Sequence, residues 1–387
     1  MLRPTLRAAS TASNNAIITG DCTANLPRPL LLLRHNSSLT PAPRHVVFSG
    51  IQPTGVPHLG NYLGALRQWV KQQNEAPLEA TLLYSIVDLH AITVRQDASQ
   101  LRQWRKEMLA SLLAVGLDPK RSIIFCQSAV AAHSELMWIL SCQASMGYLS
   151  RMTQWKSKLA LPENTTPLDS SSKAKLKLGL FSYPVLQAAD ILVHRASHVP
   201  VGADQGQHLE FARECANGFN HNFGPVLIPP ETILSSAKRV MSLTRPHLKM
   251  SKSHEDPKSR ILITDSRDQI AKKVNSALTD TIPGVTYDPV NRPGVSNLVD
   301  ILFHVDESAA PNSEALALDL KDLSMRALKE KVSDAVDRQL SVVRERYEEA
   351  MQEGNAQYLA DIGEDGARRA SASAEATMKL VRDAVGF

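Results

Sequence analysis

The chain has 387 residues, 43% hydrophobic and 21% charged, a composition that allows a sizeable buried core and two domains. Near its start the longest purely apolar run spans only residues 30–33, too short for a membrane span, and we predict no membrane association. The four cysteines show neither C-x-x-C pairing nor a metal-ligand spacing, which favours free thiols and predicts no protein metal site.

The first 44 residues differ in composition from the rest of the chain. They contain five arginines, no lysine and one acidic residue, so they carry the whole formal net charge of +4 and leave the remainder neutral. An arginine-rich, acid-poor segment with many Ser, Thr, Ala and Leu residues is typical of a mitochondrial transit peptide. The alternative is a disordered basic tail on a cytosolic protein.

From residue 45 onward, predicted strands alternate with predicted helices. The apolar run 45–51 predicts a buried strand, and residues 52–57 predict a loop. Leucines at helical spacing predict a helix that begins near His58, with Pro57 suited to its first turn. Further strands are predicted at 81–87 and 122–126, and residues 199–205 predict another strand end that runs into a helix. Further helices are predicted at 98–115, 134–143 and 180–193. This alternation predicts an α/β fold with a doubly wound parallel sheet, in which ligands bind beyond the carboxyl ends of the strands.

Residues 156–177 interrupt the alternation. Lysines flank a stretch rich in Ser, Thr and Pro, which predicts a mobile, solvated basic loop. The apolar helix that follows contains Asp190, and a buried acid needs a partner. Either this carboxylate accepts a hydrogen bond from a ligand, or it is paired structurally with a backbone amide or an arginine.

Residues 249–253 place two lysines three residues apart with hydroxyl groups beside them. Such a loop can clamp an anion, although taken alone it is more typical of solvated surface. Beyond it the chain is predominantly helical: apolar residues over 328–347 predict a long amphipathic helix, residues 353–366 a loop with a broken helix, and residues 368–385 a last helix.

Taken together, these segments resemble the class I aminoacyl-tRNA synthetases. Residues 58–61 (His-Leu-Gly-Asn) resemble the H-I-G-H signature of that family in a variant that ends in Asn. Residues 249–253 (Lys-Met-Ser-Lys-Ser) match its K-M-S-K-S signature without a substitution.

The resemblance is closest to the tryptophanyl-tRNA synthetases and extends from about residue 46 to the C-terminus. It rests on residues 48–55, 87–93, 151–156, 183–190, 200–205 and 293–298. Two departures stand out: Ala203 occupies a position that is often acidic in the family, and the loop 157–179 is longer than the usual bacterial form. With the leader, the resemblance implies a mitochondrial enzyme of the matrix.

The resemblance implies a Rossmann-like doubly wound parallel sheet with a C-terminal all-helical domain. The implied division is a leader at 1–44, a catalytic domain at 45–245, and the lysine loop with a tRNA anticodon-binding domain at 246–387. The implied reaction activates L-tryptophan with ATP, accompanied by Mg²⁺, to tryptophanyl-adenylate and transfers it to tRNA(Trp). A homodimer is also implied.

The same resemblance assigns expected site residues. Expected catalytic residues are His58, Asn61, Lys249 and Lys252. Expected ATP contacts are Gln52, Pro53, Thr54, Gly60, Asn61, Gly202, Ala203, Asp204, Val240, Lys249, Met250, Ser251, Lys252 and Ser253. Expected tryptophan contacts are Asp190, His90, Tyr183, Gln187, Phe48 and Gly50. Among these, Gly60 would admit the nucleotide to the backbone, and Met250 with Val240 would pack near adenine.

Asp190 is the expected specificity element. Indole offers a single N–H donor, for which a carboxylate in an apolar pocket is a matched acceptor. Leaving that carboxylate unpaired would cost several kcal/mol and discriminate against phenylalanine.

Three alternatives remain open at this stage. A tyrosyl-tRNA synthetase shares the scaffold and a related lysine loop, and a smaller nucleotidyltransferase would not need the helical C-terminal region. A non-catalytic RNA-binding or splicing protein on the same scaffold would be expected to lose residues such as Lys249 and Asp190, which are present here.

Overall fold

The computed structural model describes residues 45–162, 164–202, 206–234, 239–252, 254–306 and 310–387. The predicted leader and the predicted ATP contacts Ala203, Asp204 and Ser253 lie outside these residues. Of the helices within the described ranges, none combines the length and the apolar character that crossing a membrane requires.

A five-stranded parallel sheet forms the centre of the described chain. Its strands are β1 (Val46–Ile51), β2 (Thr81–Ile86), β3 (Ile123–Cys126), β4 (His198–Val201) and β5 (Glu231–Leu234), in the order β3-β2-β1-β4-β5. This confirms the predicted doubly wound sheet. The four-residue strand β5 was not predicted, because so short a segment directly after two prolines gives little periodic signal.

The strand order reverses between β1 and β4. β1 pairs with β2 along its whole length, whereas Val47↔His198, near the start of both strands, is the register pair between β1 and β4. The carboxyl halves of β1 and β4 therefore diverge, which opens the position where doubly wound sheets bind ligands.

Helices cover both faces of the sheet and form the C-terminal region. In chain order they are α1 (Leu59–Asn61), a π-helical turn (Tyr62–Leu66), α2 (Arg67–Glu75), α3 (Asp88–Ala91), α4 (Ala98–Ala114), α5 (Ala132–Ser141), α6 (Met146–Arg151), α7 (Gln154–Lys158), α8 (Ser170–Lys175), α9 (Leu178–Leu192), α10 (Gly206–Phe223), α11 (Arg267–Asn275), α12 (Pro293–Val305), α13 (Ser313–Asp319), α14 (Met325–Met351) and α15 (Ala356–Val385). Short 3₁₀ turns lie at Gln127–Ala129, Pro257–Ser259 and Glu353–Asn355.

Alternate strand residues enter two different cores, as the two-residue period of a strand requires. Val47 and Tyr84 belong to a core that continues into α4, α12 and α14. Phe48 and Leu83 belong to a core formed with α5, α9, α10 and α15. The first core is continuous across residues 245 and 246, and the domain boundary proposed there stays a prediction.

Two local predictions are wrong in part. The expected loop contains α7 and α8, and Lys156 is only 7% exposed, but Lys158, Lys173, Lys175 and Lys177 are exposed, as expected for a solvated stretch. The expected loop with a broken helix over residues 353–366 is confined to the 3₁₀ turn Glu353–Asn355, because α15 runs without interruption from Ala356 to Val385. Gly366 is required there for packing: a Cβ on it would lie 1.8 Å from the carbonyl oxygen of Ile124, so the helix rests directly on the backbone of β3.

Candidate active site between strands β1 and β4

A cavity of about 460 Å³ lies at the divergence of β1 and β4. This volume is within the range of small-molecule sites in proteins. The predicted site residues that line it are Phe48, Gly50, Gln52, Asn61, His90, Tyr183, Gln187, Asp190, Gly202 and Lys249. The structure therefore gathers the residues predicted to bind tryptophan around one cavity, together with part of the set predicted to bind ATP.

Asp190 forms the polar floor of this cavity. It lies in α9, is 1% exposed, and accepts hydrogen bonds from His90 Nε2 at 2.8 Å, His133 Nδ1 at 2.8 Å and Gln127 Nε2 at 2.6 Å. Burial acts to raise the pKa of this carboxyl group, but the hydrogen bonds and charges of His133 and His90 outweigh it and hold the pKa well below its usual range. The group is therefore an ionised carboxylate.

These partners correct the expectation of a lone acceptor in an apolar pocket. A carboxylate has about four lone-pair positions, of which three are already used on Asp190. A ligand without an N–H group would leave one lone-pair position of Asp190 unused, while the other three keep their hydrogen bonds. The discrimination that Asp190 provides is accordingly smaller than the sequence argument expects.

Aromatic groups form the wall above Asp190. The Tyr183 hydroxyl lies 2.9 Å from His208 Nε2, and the ring of Tyr183 meets the ring of His90 edge-on at 6.0 Å between centroids. Burial raises the pKa of the Tyr183 hydroxyl. The Lys158 ammonium group lies 5.0 Å from the centre of the Tyr183 ring, and burial lowers its pKa.

Lys158 was not selected from the sequence, although it lines the cavity. It lies two residues beyond the tryptophanyl-type segment 151–156, within the stretch that the sequence predicted to be a loop. The additional cavity residues that the sequence analysis did not select include Ser49, Gln68, Trp69, Gln154, Pro200 and His208.

The His58–Asn61 segment closes the first helical turn through a reciprocal cap. His58 Nδ1 accepts from the Asn61 backbone N–H at 3.2 Å, and Asn61 Oδ1 accepts from the His58 backbone N–H at 3.2 Å. Pro57 precedes this cap. The prediction that it belongs to the first turn of the helix is therefore wrong. The Asn61 amide keeps its Nδ2 group as a donor for a ligand.

The imidazole of His58 is neutral at physiological pH. Burial, followed by the positive charges of Lys252, Lys249 and Arg260, lowers its pKa to about 3. Because Nδ1 accepts a hydrogen bond, the proton resides on Nε2, and His58 presents an N–H donor rather than an acid–base group. Gly60 makes room for this ring: a Cβ there would lie 3.0 Å from His58 Cε1.

The two lysines of the 249–253 loop have different surroundings. Lys249 is exposed and lines the cavity, whereas Lys252 Nζ donates to the carbonyl oxygen of Gly55 at 2.7 Å. Burial lowers the pKa of Lys252 to about 8. Between the two lysines, Met250 is buried, and its backbone N–H donates to the carbonyl oxygen of Val240 at 3.0 Å.

The other predicted residues lie beside the cavity rather than in its lining. They are Pro53, Thr54, His58, Gly60, Val240, Met250, Ser251 and Lys252. Met250 and Val240 pack into the core, and their contact with adenine stays a prediction. The arrangement is a cavity with apolar and polar lining beside a cationic junction of two loops, which suits an amino acid next to a polyphosphate.

Comparison with known proteins gives consistent matches. The family model described as tRNA synthetases class I (W and Y) matches residues 41–341. The mitochondrial tryptophan–tRNA ligase of Schizosaccharomyces pombe is 45% identical over 371 residues, which is 94% of this chain and 99% of that protein. The mitochondrial tryptophan–tRNA ligase of Saccharomyces cerevisiae is 43% identical over 88% of this chain and 90% of its own length.

Solved structures agree with these matches. Tryptophanyl-tRNA synthetase from Mycoplasma pneumoniae superposes with a TM-score of 0.76 at 30% identity, covering 89% of this chain and 98% of that chain. The Campylobacter jejuni enzyme, solved with ADP and tryptophan, gives 0.71 at 30% identity and covers 88% of this chain and all of its own. The chain therefore belongs to the class I tRNA synthetases, in the family of the tryptophan–tRNA ligases.

Proposed function

We propose that this protein activates L-tryptophan with ATP to tryptophanyl-adenylate and then esterifies tRNA(Trp). The observation that carries this proposal is a buried, ionised Asp190 on the floor of a cavity that Lys249 also lines. The identity of 43–45% to mitochondrial tryptophan–tRNA ligases supports it. No observation in the described residues favours the tyrosyl or the non-catalytic alternative.

The amino acid would place its indole ring on the aromatic side of the cavity. Phe48, His90 and Tyr183 supply apolar ring surface there, and the remaining lone pair of Asp190 accepts the indole N–H. Gln187 supplies a polar side chain in the same lining. This placement directs the tryptophan carboxylate toward Lys249, which also lines the cavity.

ATP would lie across the carboxyl end of β1, next to Gln52 and Gly202. In the activation step a tryptophan carboxylate oxygen bonds to the α-phosphorus, and the bond from that phosphorus to the bridging oxygen breaks to release pyrophosphate. Lys249 and Lys252 balance the negative charge that moves onto the leaving group, and neutral His58 donates from Nε2. The protein aligns the reactants and supplies charge without a covalent intermediate of its own.

We propose that Mg²⁺ enters with ATP. Within the described ranges, no group of three or more His, Cys, Asp or Glu side chains is placed to hold a metal ion. The donor set therefore fits an ion coordinated mainly by phosphate oxygens and water.

Four further assignments complete the proposal. The leader composition and the mitochondrial relatives support localisation of the protein in the mitochondrial matrix. Residues 45–245 form the catalytic domain, and the lysine loop with the helices of 246–387 carries the site for the tRNA anticodon. The protein functions as a homodimer. It associates with no membrane.

Aminoacylation tests the proposal. The purified protein is incubated with ATP, total mitochondrial tRNA and either radiolabelled tryptophan or radiolabelled tyrosine. We expect tryptophan to be esterified to tRNA and tyrosine not. Charging of tRNA with tyrosine would favour the tyrosyl-tRNA synthetase alternative. Binding of tRNA without charging of either amino acid would favour the non-catalytic alternative.

A further inference from the structure

Asp190 is held from behind by two residues that the proposed reaction does not use. Gln127 Nε2 and His133 Nδ1 both donate to the same oxygen, Oδ1, while His90 donates to Oδ2. His90 lines the cavity, whereas Gln127 and His133 lie outside the lining and are 0% exposed. One oxygen of the carboxylate is thus bonded to two residues outside the lining, and the other is bonded to a residue of the lining.

Gln127 is fixed in the orientation that this anchoring needs. Its Oε1 accepts the backbone N–H of Leu89 at 3.1 Å, so its Nε2 group must face Asp190. Leu89 immediately precedes His90 in α3, and the same amide therefore ties the 3₁₀ turn after β3 to the segment that carries the cavity histidine.

His133 is fixed equally well. An ionised carboxylate only accepts hydrogen bonds, so the proton on His133 must reside on Nδ1, the atom 2.8 Å from Asp190. The His133 ring packs against Phe125 at 5.8 Å and His194 at 5.2 Å between centroids. Burial lowers the pKa of His194 well below its usual value, so the His194 ring is neutral.

We propose that Gln127 and His133 are positioning residues for amino-acid selection. By occupying Oδ1 they leave one free acceptor position, on the oxygen shared with His90, and orient it toward a single N–H donor in the cavity. They also stabilise the charge that makes Asp190 a strong acceptor. This inference rests on the proposed contact between Asp190 and the indole N–H.

The test compares tryptophan with 3-benzothienylalanine, in which sulfur replaces the indole N–H group. ATP–pyrophosphate exchange gives the KM of each amino acid for the wild-type protein, Gln127→Met and His133→Phe. We expect each variant to raise the KM for tryptophan roughly tenfold, equivalent to about 1.4 kcal/mol, and the KM for the sulfur analogue less than about twofold. The kcat for tryptophan should change little.

Two further variants separate positioning from packing. His133→Asn places an amide N–H near the Nδ1 position and should restore most of the preference for tryptophan. Gln73→Met removes another buried amide, whose partners are Gly116, Asp118 and Ser122, and should leave the preference unchanged.

Two results would overturn the inference, and they are distinguishable. Equal increases in both KM values would assign Gln127 and His133 a packing role only, leaving the proposed function intact. A wild-type protein that does not prefer tryptophan over the sulfur analogue would overturn the indole contact itself. Should His133→Phe fail to fold, Gln127→Met alone decides between these results.

Discussion

Lys252 donates a hydrogen bond from its ammonium group to the backbone carbonyl of Gly55 at 2.7 Å. The contact joins the lysine loop to the loop that follows β1. Gly55 has a φ of +95°, a left-handed conformation that favours glycine, so the geometry of this acceptor depends on that residue. Lys252, which is expected to stabilise pyrophosphate, therefore donates to a carbonyl oxygen in this structure. It must break this hydrogen bond to contact phosphate oxygens.

Replacing Lys252 should affect activation more than amino-acid binding. For Lys252→Ala we expect the rate of adenylate formation to fall by about 10²- to 10³-fold, because a charge placed toward the leaving group is removed. The KM for tryptophan should change less than about threefold, since Lys252 lies outside the cavity lining.

Stopped-flow fluorescence of adenylate formation measures this effect. Lys258→Ala is the matched control, because Lys258 is an exposed lysine of the adjacent 3₁₀ turn and should leave the rate unchanged. An unchanged activation rate in Lys252→Ala would remove that lysine from the mechanism.

The pH dependence of ATP use should report the titration of Lys252. Its pKa is about 8 because of burial, so the ammonium group is charged below pH 8 and progressively neutral above it. We expect kcat/KM for ATP to fall above about pH 8, since this ratio reports ionisations of the free enzyme. In Lys252→Arg the side chain stays charged, and the fall near pH 8 should disappear. A fall that persists unchanged in the arginine variant would assign it to another group.

Removing the Asp190 carboxylate should weaken tryptophan recognition. For Asp190→Ala we expect the KM for tryptophan to rise by roughly 10- to 100-fold, because a hydrogen bond to a charged acceptor contributes about 1.5–3 kcal/mol. The variant also leaves the donors of Gln127 and His133 buried without an acceptor, so its thermal unfolding must be measured alongside. A folded variant whose pyrophosphate exchange depends on tryptophan as in the wild type would exclude Asp190 as the indole acceptor.

Two glycines of α15 should respond in opposite ways to the same substitution. Gly366→Ala should lower the free energy of unfolding by about 3 kcal/mol or more, because its Cβ would lie 1.8 Å from the backbone oxygen of Ile124. Gly363→Ala places its Cβ 3.7 Å from Leu109 Cδ2, an ordinary contact, and should gain about 0.5–1 kcal/mol from helix propensity. Urea unfolding of both variants measures the difference. Equal effects would contradict the direct packing of α15 on β3.

The sequence predicts those parts of the fold that depend on local pattern. Strands β1 to β4 and helix α14 carry their own apolar periodicity, and the structure confirms them. The sequence predicts a loop with a broken helix over residues 353–366. Gly363 and Gly366 lower the helix propensity of this stretch, yet packing against β3 requires the second of them. Here tertiary contact outweighs propensity.

The sequence likewise predicts those features of the candidate site that depend on local pattern. The burial of Asp190 follows from its apolar neighbours, and the structure confirms it. Its partners Gln127 and His133 lie 63 and 57 residues away in sequence, and no local pattern indicates that they meet it. His58 and Asn61 were chosen as ligand contacts, yet the structure also uses them as a helix cap, a pairing that depends on backbone geometry.

ATP–pyrophosphate exchange with each of the twenty amino acids in turn tests the central claim most directly. The purified protein is supplied with ATP, Mg²⁺ and labelled pyrophosphate, and exchange is measured for each amino acid separately. The account predicts exchange with tryptophan alone. Exchange with tyrosine in its place, or no exchange with any amino acid from folded protein that binds ATP, would contradict it.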